Sequence, residues 1–559
     1  MSNHGAGSHR DGWSLPSQVG DARGLYNPMQ FVVRLHEDIH AELSGVPTGM
    51  GMRTVTGRQM LASSTYFHER IHWWQHAGST LGLFLSLAYP AQTHVNYTRL
   101  KAILDAVGPV KSLRRLDQTN ARSFTAGMQK ELSIVLNNWH DIEFCRWLAL
   151  VPELIEAAVK DPYFESLGHA YSVTWGNGVL LISEALNPTR SFVPDPYEWE
   201  AALQDLRDHR VEDFYYGSSP VRLARIGARL IFEGQARFSQ LQHLHFGAPD
   251  TADWRLFDDL GMLQPDYTAA FRAFLTAVGA PWPDSPGGPE VALFLAICDV
   301  AINPTEGFPF PVSDFPSWRM NLDPGIRFLK LCEAAAAHPD LLTAVRAFTR
   351  SEYEEVTETL TRSLDWPSPL ASCARVRGWE RQPSFVKLEE EDARFIFDNR
   401  DLPVRVFTAR YLAFQRDKLR YPELLVWPGA FTGGRDHEHP LDRVLDVFGQ
   451  HEPLFVDVPG GEVRPALLAG RPHEAIYHTF NAFHAYSASY QLVRQWHVAD
   501  GPFDLDFGWL TPDADPVDTD SWAKDIFASA FGKRIDEFEI LPAETTPSET
   551  DLSDRGDPS

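Results

Sequence analysis

The sequence predicts a mainly α-helical protein of α+β type: a long helical region followed by a C-terminal mixed α+β region. Three observations predict it. From about 58 to 364, apolar residues recur at three- and four-residue spacing, the period of helices that bury one face. From about 375 the chain turns to shorter segments, PVRVF, ELLVW and PLFVDV, parted by Gly and Pro. With 44% hydrophobic and 22% charged residues, the composition is that of an ordinary globular chain.

The elements follow in order. Residues 1–24 are polar and read as a flexible leader. QFVV at 30–33 has strand character, and Gly45, Pro47 and Gly49 then break the chain. A helix is expected over 65–88, with Ser64 or Thr65 as its N-cap and Phe67, Ile71, Trp74 and Leu81 as its apolar stripe. KAILDAV, the stretch 124–159, GVLLISEAL, the segment 222–244 and EVALFLAICDVAI continue the helical pattern. The Pro-rich stretches 280–290 and 303–318 are too long for tight turns and read as ordered surface loops or a lid. The expected organisation is a leader (1–24), a helical metal-binding region (25–370), an α+β region (371–540) and a disordered tail (541–559), whose composition lacks apolar residues.

Charge narrows the function. Acidic residues outnumber basic ones by 75 to 50, giving a formal charge of −25. A phosphate backbone is repelled on average, and no Lys/Arg run offers a local patch, so no nucleic-acid partner is expected. No stretch reaches the roughly 20 apolar residues of a membrane span. The four cysteines are widely spaced and form no CxxC pair. That argues for a reducing compartment and a cytoplasmic protein, and against a cysteine-built zinc site.

The chemistry lies in SSTYFHERIHWWQHAGSTL. His68 and His72 are four residues apart on one helical face and can grip one ion. Glu69 lies beside them, where a general base can take a proton from water. Two ligands and a base on one helix are the arrangement of zinc hydrolases. Gln75, a further turn along the histidine face, is placed to hydrogen-bond a ligand histidine or the substrate. A second match, His36-Glu37-Asp38-Ile39-His40, follows a strand-like run and stops at Gly45 and Pro47, leaving little room for a packed helix. The 68–72 match is therefore preferred.

Such a site takes a third protein ligand. Glu233 continues the stripe Ile226–Leu230, placing a carboxylate where an apolar residue is expected, and a cation would serve it. Glu184 is the alternative, close to the helix end before Pro188. The plainer account of Glu233 is an ion pair with Arg229 or Arg237, one turn to either side. Gly234 and Ala236 let that helix approach a neighbour closely.

HERIHWWQ, followed at a distance by FEGQARF, resembles the gluzincin branch of the zincin metallopeptidases, and the helix is similar to an uncharacterised bacterial branch reading His-Glu-x-x-His-x-x-Gln. The resemblance covers about 70–240. It implies a zincin-like catalytic region, Zn²⁺ held by His68, His72 and Glu233, Glu69 as base, and a peptide or protein substrate. Two other readings stay open. Glu69-x-x-His72 is also half of a di-iron carboxylate motif, with Glu143, Glu184 or Glu233 as bridging candidates and Glu37-x-x-His40 as the other half. A non-catalytic binding or regulatory protein on a zincin scaffold is the second. His140, Asp141 and Glu143 are candidates for an outer shell. His437, His439, His473 and His478 read as loop or helix-surface residues.

Overall fold

Apolar periodicity becomes helix nearly everywhere in the computed structural model. It describes residues 23–44, 56–120, 124–186, 194–209, 223–435, 437–466, 471–512 and 514–542. Helices make up 69% of the structure and strands 4%, so the fold is mainly α. The expected leader, but for its last two residues, and the tail beyond Pro542 lie outside the described residues. No described helix is long and apolar enough to cross a membrane.

Among the described residues, the one sheet of more than two strands joins segments near the two ends of the chain. β1 (Gly24–Asn27), β2 (Val32–Leu35), β3 (Phe455–Asp457) and β4 (Val463–Pro465) lie side by side in that order. β1 pairs antiparallel with β2, and β2 pairs parallel with β3 through Val32–Phe455 and Val33–Val456. Phe31, Val32, Val33 and Phe455 are buried, so the sheet is a wall of the core. Its strand β2 falls two residues later than QFVV suggests, because Gln30 sits in a turn whose backbone N–H donates to Asn27 Oδ1. Of the three C-terminal segments, only PLFVDV supplies a strand. PVRVF opens the helix Leu402–Arg420, and ELLVW lies in the short helix Pro422–Val426 and its cap. Val404, Val406, Leu424 and Val426 are buried there, and packing outweighs the weak strand preference of valine.

The motif lies on the helix Gly57–Gly78, which begins earlier and ends sooner than 65–88. Its N-cap is Thr56, not Ser64 or Thr65. Thr56 accepts from Gln59 N–H, and Gln59 answers at the Thr56 N–H. Ser64 and Thr65 instead donate to the Leu61 carbonyl from inside the helix. At the other end Ser79 is extended (φ −93°, ψ 157°) and separates this helix from the next, Thr80–Val107. Its hydroxyl donates to Gln75 O and accepts from Gly82 N–H, so one serine ends one helix and caps the other.

The motif helix packs against the helices Ala228–Gly247 and Leu402–Arg420 and against β1. Gly234 faces away from it. A Cβ there would stand 3.1 Å from Phe294, so the glycine serves the approach of the helix Pro289–Ile302. Phe308 and Phe310 anchor the second Pro-rich loop in the core. All four cysteines are buried and free.

Candidate metal centre

Four-residue spacing on the motif helix turns His68 and His72 toward Glu233, which the helix Ala228–Gly247 presents from the opposite side. Glu233 Oε2 lies 3.5 Å from His68 Nε2 and 3.4 Å from His72 Nε2, and the two ring nitrogens are 3.1 Å apart. One ligand atom from each residue falls within 4.8 Å of the others, the only such group of His, Cys, Asp or Glu among the described residues. Both histidines are largely buried and Glu233 is about a quarter exposed, so the triad is open on the carboxylate side.

The second neighbours of His72 fix its orientation. Gln75 Nε2 donates to the Phe232 carbonyl at 3.0 Å and to Gln235 Oε1 at 2.9 Å. Since a carbonyl only accepts, the amide group is oriented, and Gln75 Oε1 must face His72 Nδ1 at 2.8 Å. His72 therefore donates through Nδ1–H and turns Nε2 to the triad, so that loss of the Nε2 proton would leave the tautomer a metal ligand needs. The position of Gln75 agrees with its reading from sequence. His68 has no such support: its Nδ1 is buried without a partner.

Electrostatics set the two histidines apart. Burial disfavours the imidazolium of His72, but Glu233 and Glu69 outweigh it and lift the pKa to about 9. Burial would raise Glu233, yet the two histidines hold it well below the usual carboxylate range. Burial pushes His68 down to about 3, against the pull of Glu233. Two imidazoles and a carboxylate could hold a metal ion, and these donor types are the ones zinc takes.

Glu69 is buried beside the triad, and burial raises its pKa to about 7. It sits on the outer strand. A Cβ on Gly24 would come within 2.7 Å of Glu69 Cγ and Oε1, so a side chain there would require the carboxylate to move. The Tyr26 backbone N–H donates to it. Arg23 O accepts from His36 N–H across the ladder, so in the alternation of an antiparallel pair Leu25 faces β2 while Gly24 and Tyr26 face outward. Glu69 thus takes the Tyr26 N–H on the outer side of β1.

The remaining candidates go elsewhere. Glu184 receives His94 at 3.0 Å, Glu143 lies 3.9 Å from Arg494, and neither joins the triad. Arg229 pairs with Asp266 at 3.0 Å, and Arg237 donates to Gln240, so Glu233 pairs with histidines and with neither arginine. In the other motif match, His40 bonds Asp457, which also accepts the Leu35 N–H, while His36 lies on the surface against Asp38. Asp141 bonds His169, and His140 lies against Asp161, so these are no outer shell of the triad. His439 pairs with Glu423 and His478 with Asn399.

Sequence reasoning did not find three features: Tyr267, whose ring stands edge-on to His68 at 5.9 Å, Arg237 as a neighbour of the site, and the edge of β1. Tyr267 carries no local signal, since folding alone brings it beside the motif, and Arg237 was legible only as an ion-pair candidate for Glu233. GLYN, lying just before QFVV, is a faint hairpin signal for β1. No protein-family model, curated protein or solved structure matches this chain.

Proposed function

We propose that this chain is a zinc-dependent hydrolase of peptides, with His68, His72 and Glu233 as metal ligands and Glu69 as general base. The observation that carries the proposal is the convergence of the three donors with a buried carboxylate one residue from a ligand histidine. Zinc held there supplies an acidified water and polarises a carbonyl. Glu69 takes the proton of the attacking water and returns it to the leaving amine, and its raised pKa suits both transfers. Gln75 holds His72 in the ligand tautomer.

The edge of β1 supports a peptide substrate. It is the outermost strand of its sheet, has no strand on its other side among the described residues, and lies across Glu69. An extended peptide paired along such an edge would pass the base with its carbonyls in register. The di-iron reading asks for a second set of ligands, and the described residues hold one group only, with Glu37-x-x-His40 engaged at Asp457 and on the surface.

Cleavage of an internally quenched peptide library by the zinc-loaded protein tests the reading. Wild type is expected to cleave, and Glu69→Gln to lose roughly 10²–10⁴-fold in rate while keeping its zinc. Equal cleavage by the two proteins would remove Glu69 as base. Zinc binding without any cleavage would leave the non-catalytic scaffold.

A further inference from the structure

Arg237 stands beside the candidate centre as a cation that makes no direct ion pair among the described residues, although Glu233 and Glu69 act on it from further off. It lies one turn beyond Glu233 on the same helix, and its guanidinium rests 3.8 Å above the ring of Tyr267. That ring stands edge-on to His68. The group is fixed as well as close. Its Nη1 donates to Gln240 Oε1 at 2.5 Å, and Gln240 in turn donates to Ser64 Oγ on the motif helix at 3.0 Å. The partners are neutral, and the buried Nε has none. Its charge is felt at His68 and Glu69.

A charge count gives this placement a meaning. The two carboxylates of the centre, Glu69 and Glu233, match a divalent cation between them. Arg237 then remains as a positive charge whose direct hydrogen-bond partners are neutral, in a setting where an unpaired ion is costly. An anionic group on what binds would give it a direct partner. A guanidinium is a planar fork that takes a carboxylate through two parallel bonds, and stacking on Tyr267 holds the fork in one plane.

Resting on the metal-centre reading above, we propose that Arg237, seated on Tyr267, is a specificity residue that binds a carboxylate of the substrate next to the scissile bond. The carboxylate is either a peptide C-terminus or an acidic side chain. In both cases the substrate supplies the direct ionic partner that Arg237 lacks, and the scissile carbonyl is set against the centre by its distance from the guanidinium.

The test is binding, which needs no turnover. Three compounds share a hydroxamate that grips the metal. One carries a leucine with a free C-terminal carboxylate, one the same leucine amidated, and one an amidated aspartate. Their affinities for the zinc-loaded protein are measured by calorimetry in wild type, Arg237→Gln and Arg237→Lys. One of the two carboxylate compounds is expected to bind wild type roughly tenfold or more tighter than the neutral one, as a charge-assisted pair allows. Which of them does so identifies the source. Arg237→Gln should lose that advantage with its zinc content and its affinity for the neutral compound unchanged. Arg237→Lys should keep part of it. Equal binding of all three by wild type, or an advantage that survives in Arg237→Gln, overturns the role of Arg237 while leaving the metal centre standing. Failure of the zinc-loaded protein to bind any hydroxamate overturns both.

Discussion

Glu69 is the residue on which the chemistry and the fold press hardest. Its carboxylate is buried beside the histidine pair and lies where a Cβ on Gly24 would be. Gly24→Ala is therefore expected to push Glu69 off the edge of β1, costing about 1–3 kcal/mol of stability and most of the cleavage, while the zinc content holds. Denaturant titration beside a zinc assay checks this, and an unchanged rate would show that Glu69 has room to spare. Gln75→Leu should act on the metal instead. Loss of the bond to His72 Nδ1 is expected to weaken zinc roughly 10–100-fold, measured by competition with a chelator. The sequence revealed His68, Glu69, His72 and Gln75 because their relation is local, set by the pitch of one helix. Glu233 was legible for a different reason, a carboxylate breaking an apolar stripe. Arg237 was visible only as a possible ion-pair partner of Glu233, since nothing along the chain says that Tyr267 will come beneath it.

At the scale of elements, the least legible feature was the end of the motif helix. The apolar run through LGLFLSLAY continues the helical pattern, so nothing in periodicity announces a break at Ser79. The break is made by hydrogen bonds: Ser79 ends one helix at Gln75 O and caps the next at Gly82 N–H. A Cβ on Gly82 would fall 2.0 Å from Gln75 O, which shows how tightly the two helices meet. Ser79→Ala is expected to lower stability by about 1 kcal/mol through the lost cap. Because Gln75 is the residue that orients His72, the same change should weaken zinc binding. Stability lost without any change in zinc affinity would separate the junction from the site. The N-terminus was misplaced for a related reason. Ser64 and Thr65 have the right chemistry for a cap, but both spend their hydroxyls on Leu61 O within the helix.

For the whole molecule, the helical class was readable because period and composition survive without knowledge of partners. The joining of β2 to β3, from opposite ends of the chain, was not, since no local pattern encodes which distant strand will pair. The same long-range packing buries histidines outside the triad. Burial lowers His243 to about 4, and His484 and His497 to about 3. Each is neutral in the fold and free to protonate near 6.5 once unfolded, so below that pH the unfolded chain binds the extra protons. Stability should thus be full above about 6.5 and fall as the pH drops toward 4, by up to about 1.4 kcal/mol per pH unit for each histidine. Melting temperatures at pH 7.5, 6.0 and 5.0 check the slope, and His243→Gln should flatten it. A melting temperature constant over that range would mean that these side chains are not held neutral.

The central claim is that His68, His72 and Glu233 form one metal site, and elemental mass spectrometry of the purified protein tests it most directly. One zinc per chain is expected in wild type and in Glu69→Gln, with loss in His68→Ala, His72→Ala and Glu233→Ala. A wild-type protein that holds no metal after zinc loading, or one whose zinc is indifferent to all three substitutions, would contradict the account.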